Sequence, residues 1–276
     1  MQADLPLGEH ARRAARTYGA AADHYDLAAL SFWDRFGAAT VAALPLAAGH
    51  TVLDLCCGTG ASAIPAARLV GQEGRVLGID VAESLLDTAR AKAASEGLAN
   101  IEFRAGDATR TALPDGSFDA VICVFGVFFT PDMARFVAEM WRLIRPGGVL
   151  AITTWGEGLF EPGNTAFWES VREVEPSLFK AFNPWDEITT RAALADLLAR
   201  GGVAHPAIRA TSGWHHLDRP DRFWDIVLGT GYRATVDALS REQRDIVRER
   251  LLSKLRSEGI MSVRTDVVFS TARRAD

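Results

Sequence analysis

The stretch Val52-Leu53-Asp54-Leu55-Cys56-Cys57-Gly58-Thr59-Gly60 reads as a strand running into a glycine turn. Glycines suit such a turn because the backbone must bend tightly and let a ligand approach without a Cβ in its way. Twenty residues beyond Gly60, Asp80 ends a second apolar run, where one carboxylate can accept both hydroxyls of a ribose. Gly106-Asp107-Ala108 ends a third run and brings another acid to the same edge. Gly58, Gly60 and Ala63 also satisfy the Gly-x-Gly-x-x-Gly/Ala dinucleotide pattern, so the turn alone admits a nicotinamide cofactor. Asp54 argues against that reading, since a carboxylate just before the turn repels a pyrophosphate and suits a cationic group. Together these residues fit the binding of a nucleoside that carries positive charge.

The elements that must position them follow from periodicity. Short apolar runs at 51–55, 75–80, 101–105, 118–125 and 149–154 alternate with helical patterns at 61–69, 82–96 and 132–144. The last helix is stopped by Arg145-Pro146-Gly147-Gly148. Such alternation is the signature of an α/β fold, a Rossmann-like doubly wound, mostly parallel seven-stranded sheet with helices on both faces. Beyond Trp155 the pattern breaks: Phe160, Phe167, Trp168, Phe179, Phe182 and Trp185 crowd together without a period, as a cover over the sheet would. Helices at 190–200, 218–228 and 240–257 and strands at 207–215 and 265–271 complete the reading, giving a helical and aromatic cover plus the last two sheet strands. The expected division is an N-terminal helical arm at 1–45, a core at 46–155 and an acceptor-binding cover at 156–276.

The segment from Val52 to Gly60 resembles motif I of the Rossmann-like (class I) S-adenosylmethionine-dependent methyltransferases, and Asp80, Asp107 with Ala108, and 143–148 fall where that family has its later motifs. The resemblance implies that Asp54, Cys56, Gly58, Thr59 and Gly60 hold the amino-acid part of S-adenosylmethionine (SAM). It further implies Asp80 and Val81 at the ribose, Asp107 and Ala108 at the adenine, and Val124 and Phe125 near the methionine end. One position departs from the family's pattern: Cys56 stands where a glycine is usual. The arm is similar to the Tyr-x-x-x-x-x-x-Tyr-Asp segment of methyltransferases of the ubiquinone/menaquinone and small-molecule type, here Tyr18 and Tyr25-Asp26. In those enzymes the segment folds across the cofactor, which implies that Tyr18 and Tyr25 close the pocket.

A proton acceptor for the methylated group is sought among His24, His215 and His216, which lie in the arm or after a strand near the cover. The 276 residues carry a net charge of -5, which gives no electrostatic reason to expect a nucleic-acid partner, whose binders usually present a concentrated basic face, and leaves a small-molecule methyl acceptor. Three cysteines, two of them adjacent, build neither a disulfide framework nor a four-ligand zinc site. The longest apolar run, 121–129, falls far short of the ~20 residues that span a bilayer, and the first sixteen residues lack a signal-peptide core. A cytoplasmic protein, with a homodimer as one open possibility, is the expectation. Two other readings stay open, a SAM-binding protein without transferase activity and an NAD(P)-dependent oxidoreductase.

Overall fold

A computed structural model describes residues 7–275. Of the sequence-level expectations, the start of the arm and of the region scanned for a leader, residues 1–6, lie outside that range.

Five parallel strands form the heart of the sheet: β1 (Thr51–Leu55), β2 (Arg75–Asp80), β3 (Ile101–Ala105), β4 (Phe118–Val124) and β5 (Ile144–Trp155). Their order is β3-β2-β1-β4-β5, continued by β9 (Val267–Arg273) and then β6 (Ala207–Thr211), so that β9 runs antiparallel to both neighbours. The sheet is α/β, seven-stranded and mostly parallel, as the alternating pattern requires.

Side-chain alternation sorts the strands between two cores. Val52, Ala120, Ile122 and Ala151 face one side, where they pack with α3 (Ala63–Val70) and α4 (Glu83–Ser95). Leu53, Leu55, Val121, Leu150 and Ile152 face the other, with α5 (Met133–Leu143) and α7 (Arg191–Arg200). Two of these helices start in side-chain caps: Asp132 accepts from the Arg135 N–H, and Thr190 from the Ala193 N–H.

Before the sheet come α1 (Glu9–Tyr25) and α2 (Phe32–Ala42). Gly37 lets α2 approach the turn before α3, because a Cβ there would stand 2.3 Å from the Ala61 carbonyl oxygen. The cover contains α6 (Gly163–Val174), α8 (Phe223–Leu228), α9 (Arg233–Ala238) and α10 (Arg241–Ser257). The charge-rich α10 starts in a capping box between Ser240 and Gln243 and buries Val247, Leu251, Leu252 and Leu255. Its Lys254 and Arg250 pair with Glu169 and Glu173 of α6, so the charges join two helices.

Three expectations need correction. The strand read at 207–215 is two elements: β6 ends at Thr211, and β7 (Trp214–His216) pairs with β8 (Ser262–Arg264) in a separate ribbon. The intervening Gly213 donates its N–H to the Asp266 carboxylate, which turns the chain out of the sheet. β4 stops at Val124 because Phe125 takes a left-handed φ of 54°. Part of the stretch after Trp155 is helical: α6 buries Gly163, Ala166, Phe167, Ser170 and Val171 at helical spacing, while Phe160, Phe179, Phe182 and Trp185 lie outside it.

Candidate functional site

The glycine turn leaves β1 in left-handed backbone. Gly58 and Gly60 have φ of 52° and 86°, and Cys56 adopts 60°. An L-residue there costs about 1–2 kcal/mol, which explains why the family's pattern has glycine at this position. Asp80, at the end of β2, ties the turn down: its Oδ2 accepts the Gly58 N–H and its Oδ1 the Ala82 N–H, both at 2.9 Å. Burial raises its pKa, with the backbone hydrogen bonds opposing. Each oxygen keeps a lone pair for a further donor.

Asp54 lies beneath the turn with 0% exposure. Its Oδ2 accepts from the Ser62 hydroxyl at 2.7 Å, while Oδ1 has no partner. Burial outweighs the Ser62 bond and lifts its pKa from 3.8 to about 7. Thr59 donates its hydroxyl to Asp26 at 2.8 Å and so fastens the turn to the end of α1.

A cavity of about 710 Å³ opens at the C-terminal edge of the strands, within the size range of organic-ligand pockets. Tyr18, Tyr25, Cys56, Asp80, Val81, Asp107, Ala108, Val124 and Phe125 all line it. Asp107 accepts from the N–H and hydroxyl of Thr109 through Oδ1. Of the other residues singled out, Asp54, Gly58, Thr59 and Gly60 lie behind the lining residues; the Tyr25 hydroxyl covers Gly58, 3.3 Å from where a Cβ would stand. Tyr25 itself stacks on Trp33, with ring centres 5.1 Å apart.

The three histidines are not brought to this cavity. His24, on α1, is not among the lining residues, and its Nδ1 is buried without a partner. His215 is buried with its ring edge on Phe32, and burial lowers its pKa. His216 is exposed on β7.

Sequence reasoning missed Trp33, Leu85, Gly126 and Phe129 as lining residues, along with the first turn of α1 and one face of α5. Only Gly126 carried a signal: it follows the fourth apolar run, and a Cβ there would stand 2.5 Å from the Cys56 Cβ.

Tyr18, Trp33 and Phe125 also line a second, much smaller chamber of about 20 Å³. Its remaining walls come from after β4, including Phe128, Trp155, Phe160, Trp185 and Tyr232. Of the aromatics crowded beyond Trp155, Phe160 and Trp185 reach the chamber. Trp214 is 59% exposed on β7, and Phe223 and Trp224 are packed core. Among the described residues, none beyond Arg142 lines the large cavity.

Comparison with known proteins agrees with this geometry. A family model described as a methyltransferase domain matches residues 52–148, from β1 to the start of β5. Demethylmenaquinone methyltransferase of Listeria monocytogenes is 33% identical over 176 residues, which cover 60% of this chain and 74% of that protein. Nocamycin O-methyltransferase of Saccharothrix syringae is 33% identical over 186 residues, 67% of this chain and 59% of that one. In fold, the chain is similar to phosphoethanolamine N-methyltransferase 2 of Haemonchus contortus, solved with S-adenosyl-L-methionine, at a TM-score of 0.58 and 17% identity over 98% of this chain and 61% of that one. Matching motifs, strand order and relatives lead to one conclusion: the chain belongs to the class I S-adenosylmethionine-dependent methyltransferases.

Proposed function

We propose that the large cavity holds SAM and that a small, partly apolar acceptor enters it beside its aromatic wall, with residues 46–155 carrying the cofactor, the arm roofing it and the cover at 156–276 approaching that wall. The single observation that carries this reading is the aromatic wall of the large cavity: Tyr18, Trp33 and Phe125 line it and are backed by cover residues such as Trp155, Phe160 and Tyr232. In this arrangement Asp80 accepts from the ribose hydroxyls and Asp107 with Ala108 borders the adenine. The turn from Cys56 to Gly60 receives the amino-acid end, with the unpartnered Asp54 oxygen beneath it as a counter-charge. Val124 and Phe125 border the methyl-bearing end.

The bound cosubstrate supplies an already activated methyl electrophile, so the protein's work is alignment and exclusion of water. Tyr18 and Tyr25 serve both ends by roofing the cavity. A relative named for demethylmenaquinone supports a quinone-like acceptor. Calorimetric titration with S-adenosylhomocysteine tests the cofactor half: binding is expected in the micromolar range, with none for NADH, and Asp80→Ala should weaken it by more than about tenfold. Binding of NADH alone would overturn the assignment.

A further inference from the structure

The helix that roofs the large cavity has little core of its own. Of the seventeen residues of α1, Ala21 alone is buried, so burial does not fix where the helix lies. Among the described residues, hydrogen bonds tie it to other elements at two places. Near its middle the Ser84 hydroxyl reaches the Gly19 carbonyl at a long 3.3 Å. At its C-terminal end stands the capping residue Asp26, which has two partners.

Those partners come from different elements. The Thr59 hydroxyl, in the glycine turn between Gly58 and Gly60, donates to Asp26 Oδ1 at 2.8 Å. The Lys92 ammonium, on α4, donates to Asp26 Oδ2 at 3.2 Å and lies 3.4 Å from the Asp34 carboxylate of α2. One cation thus joins the end of α1 to the start of α2. Beside Asp34, the Trp33 ring stacks on Tyr25 with the planes 4° apart. Held in this way, the Tyr25 hydroxyl comes to rest over Gly58.

Asp26, Thr59, Lys92 and Asp34 do not line the cavity, so whatever they contribute to a ligand there passes through the groups they hold. The two bonds of Asp26 differ in weight. Lys92 and Asp26 keep 30% and 32% of their side-chain surface in water, where an ion pair is worth little. Thr59 is only 1% exposed, and its hydroxyl bond to a carboxylate is charge-assisted.

We infer that Asp26 is a positioning residue for the cosubstrate: it latches the roof helix to the glycine turn and so sets the place of Tyr25 over that turn, with Lys92 steadying its charge. This inference rests on the reading of the cavity as the SAM site. The latch joins the two surfaces that face the amino-acid end of SAM, the turn below and the tyrosine above, so that neither shifts without the other. A ligand seated on the turn then meets a roof already in place, and the ordering of α1 is no longer a cost of binding.

The test combines calorimetric titration with S-adenosylhomocysteine and amide hydrogen exchange of α1. Asp26→Ala is expected to weaken binding roughly tenfold. Asp26→Asn, which keeps an oxygen for Thr59 and loses the charge, should weaken it by less. In a Tyr25→Ala background, Asp26→Ala should cost no more than about a further twofold, since its effect passes through that ring. The ligand is expected to slow exchange of the α1 amides in the unaltered protein and to do so much less in Asp26→Ala. Lys92→Met leaves turn and roof residues in place and carries the test by itself should Asp26→Ala not fold: a loss of about two- to threefold at low salt is expected, fading at high salt. Unchanged affinity in Asp26→Ala, or in Lys92→Met at low salt, would overturn the inference. So would full additivity with Tyr25→Ala, or equal protection of α1 in Asp26→Ala. No binding by the unaltered protein would overturn the cofactor assignment along with the latch, whereas binding untouched by these substitutions overturns the latch alone.

Discussion

Asp54 and Asp80 are both buried carboxylates, yet they are held in different ways. Both Asp80 oxygens have backbone donors, whereas one Asp54 oxygen has none. An unfolded Asp54 ionises near 3.8 and the folded one near 7, so between about pH 4 and pH 7 the folded protein holds a proton that the unfolded chain has lost. The stability tied to that proton is whole below this window and is lost as pH rises through it. Asp54→Asn should therefore raise the melting temperature of the ligand-free protein more at about pH 8 than at about pH 4, by about 2–4 °C for each kcal/mol recovered. A difference that stays constant with pH would refute it. At Cys56, the positive φ predicts that Cys56→Val destabilises by about 2 kcal/mol, since a β-branched side chain tolerates this backbone poorly; chemical denaturation measures it. Asp80 and Asp107 were legible because each stands at a strand end at a known distance from the glycine turn. Trp33 was not, because its place on the cavity wall comes from the packing of α1, α2 and the strand ends.

Among the elements, β1, β2 and β3 begin and end where the apolar runs do, since each is bracketed by turn residues and buried at its centre. The break at Thr211 is marked in the sequence only by Ser212-Gly213, and the contact of Gly213 with the distant Asp266 diverts the chain. The segment after β4 depends on a close approach to the turn after β1: at Gly126, a Cβ would meet the sulfur atoms of Cys56 and Cys123 at 2.8 and 2.9 Å. Gly126→Ala should therefore lower stability by about 1–3 kcal/mol and weaken S-adenosylhomocysteine binding, because the strain falls on the cavity floor. A fully stable variant with normal affinity would show that this floor yields. Tyr25→Ala tests the arm: lower affinity with little change in melting temperature is expected if the ring acts as a roof and not as core.

For the whole molecule, a cavity walled by both the arm, through Tyr18 and Tyr25, and the strand ends exists only in the folded chain, so a ligand that binds there is coupled to folding. S-adenosylhomocysteine at a hundred times its dissociation constant should stabilise by about 2.7 kcal/mol, raising the melting temperature by several degrees. A melting temperature independent of ligand concentration would contradict a site formed only in the folded state. Among the described residues, no helix is long and apolar enough to cross a membrane. The order β5-β9-β6 has a further consequence for biosynthesis. β6 pairs only with β9, and some fifty-five residues of cover separate the two in the chain. As the chain emerges from the ribosome, β1 to β5 can assemble while β6 waits without a neighbour and β5 keeps a bare edge. The nascent protein thus passes through a stage with open strand edges, and factors that shield such edges would raise its yield.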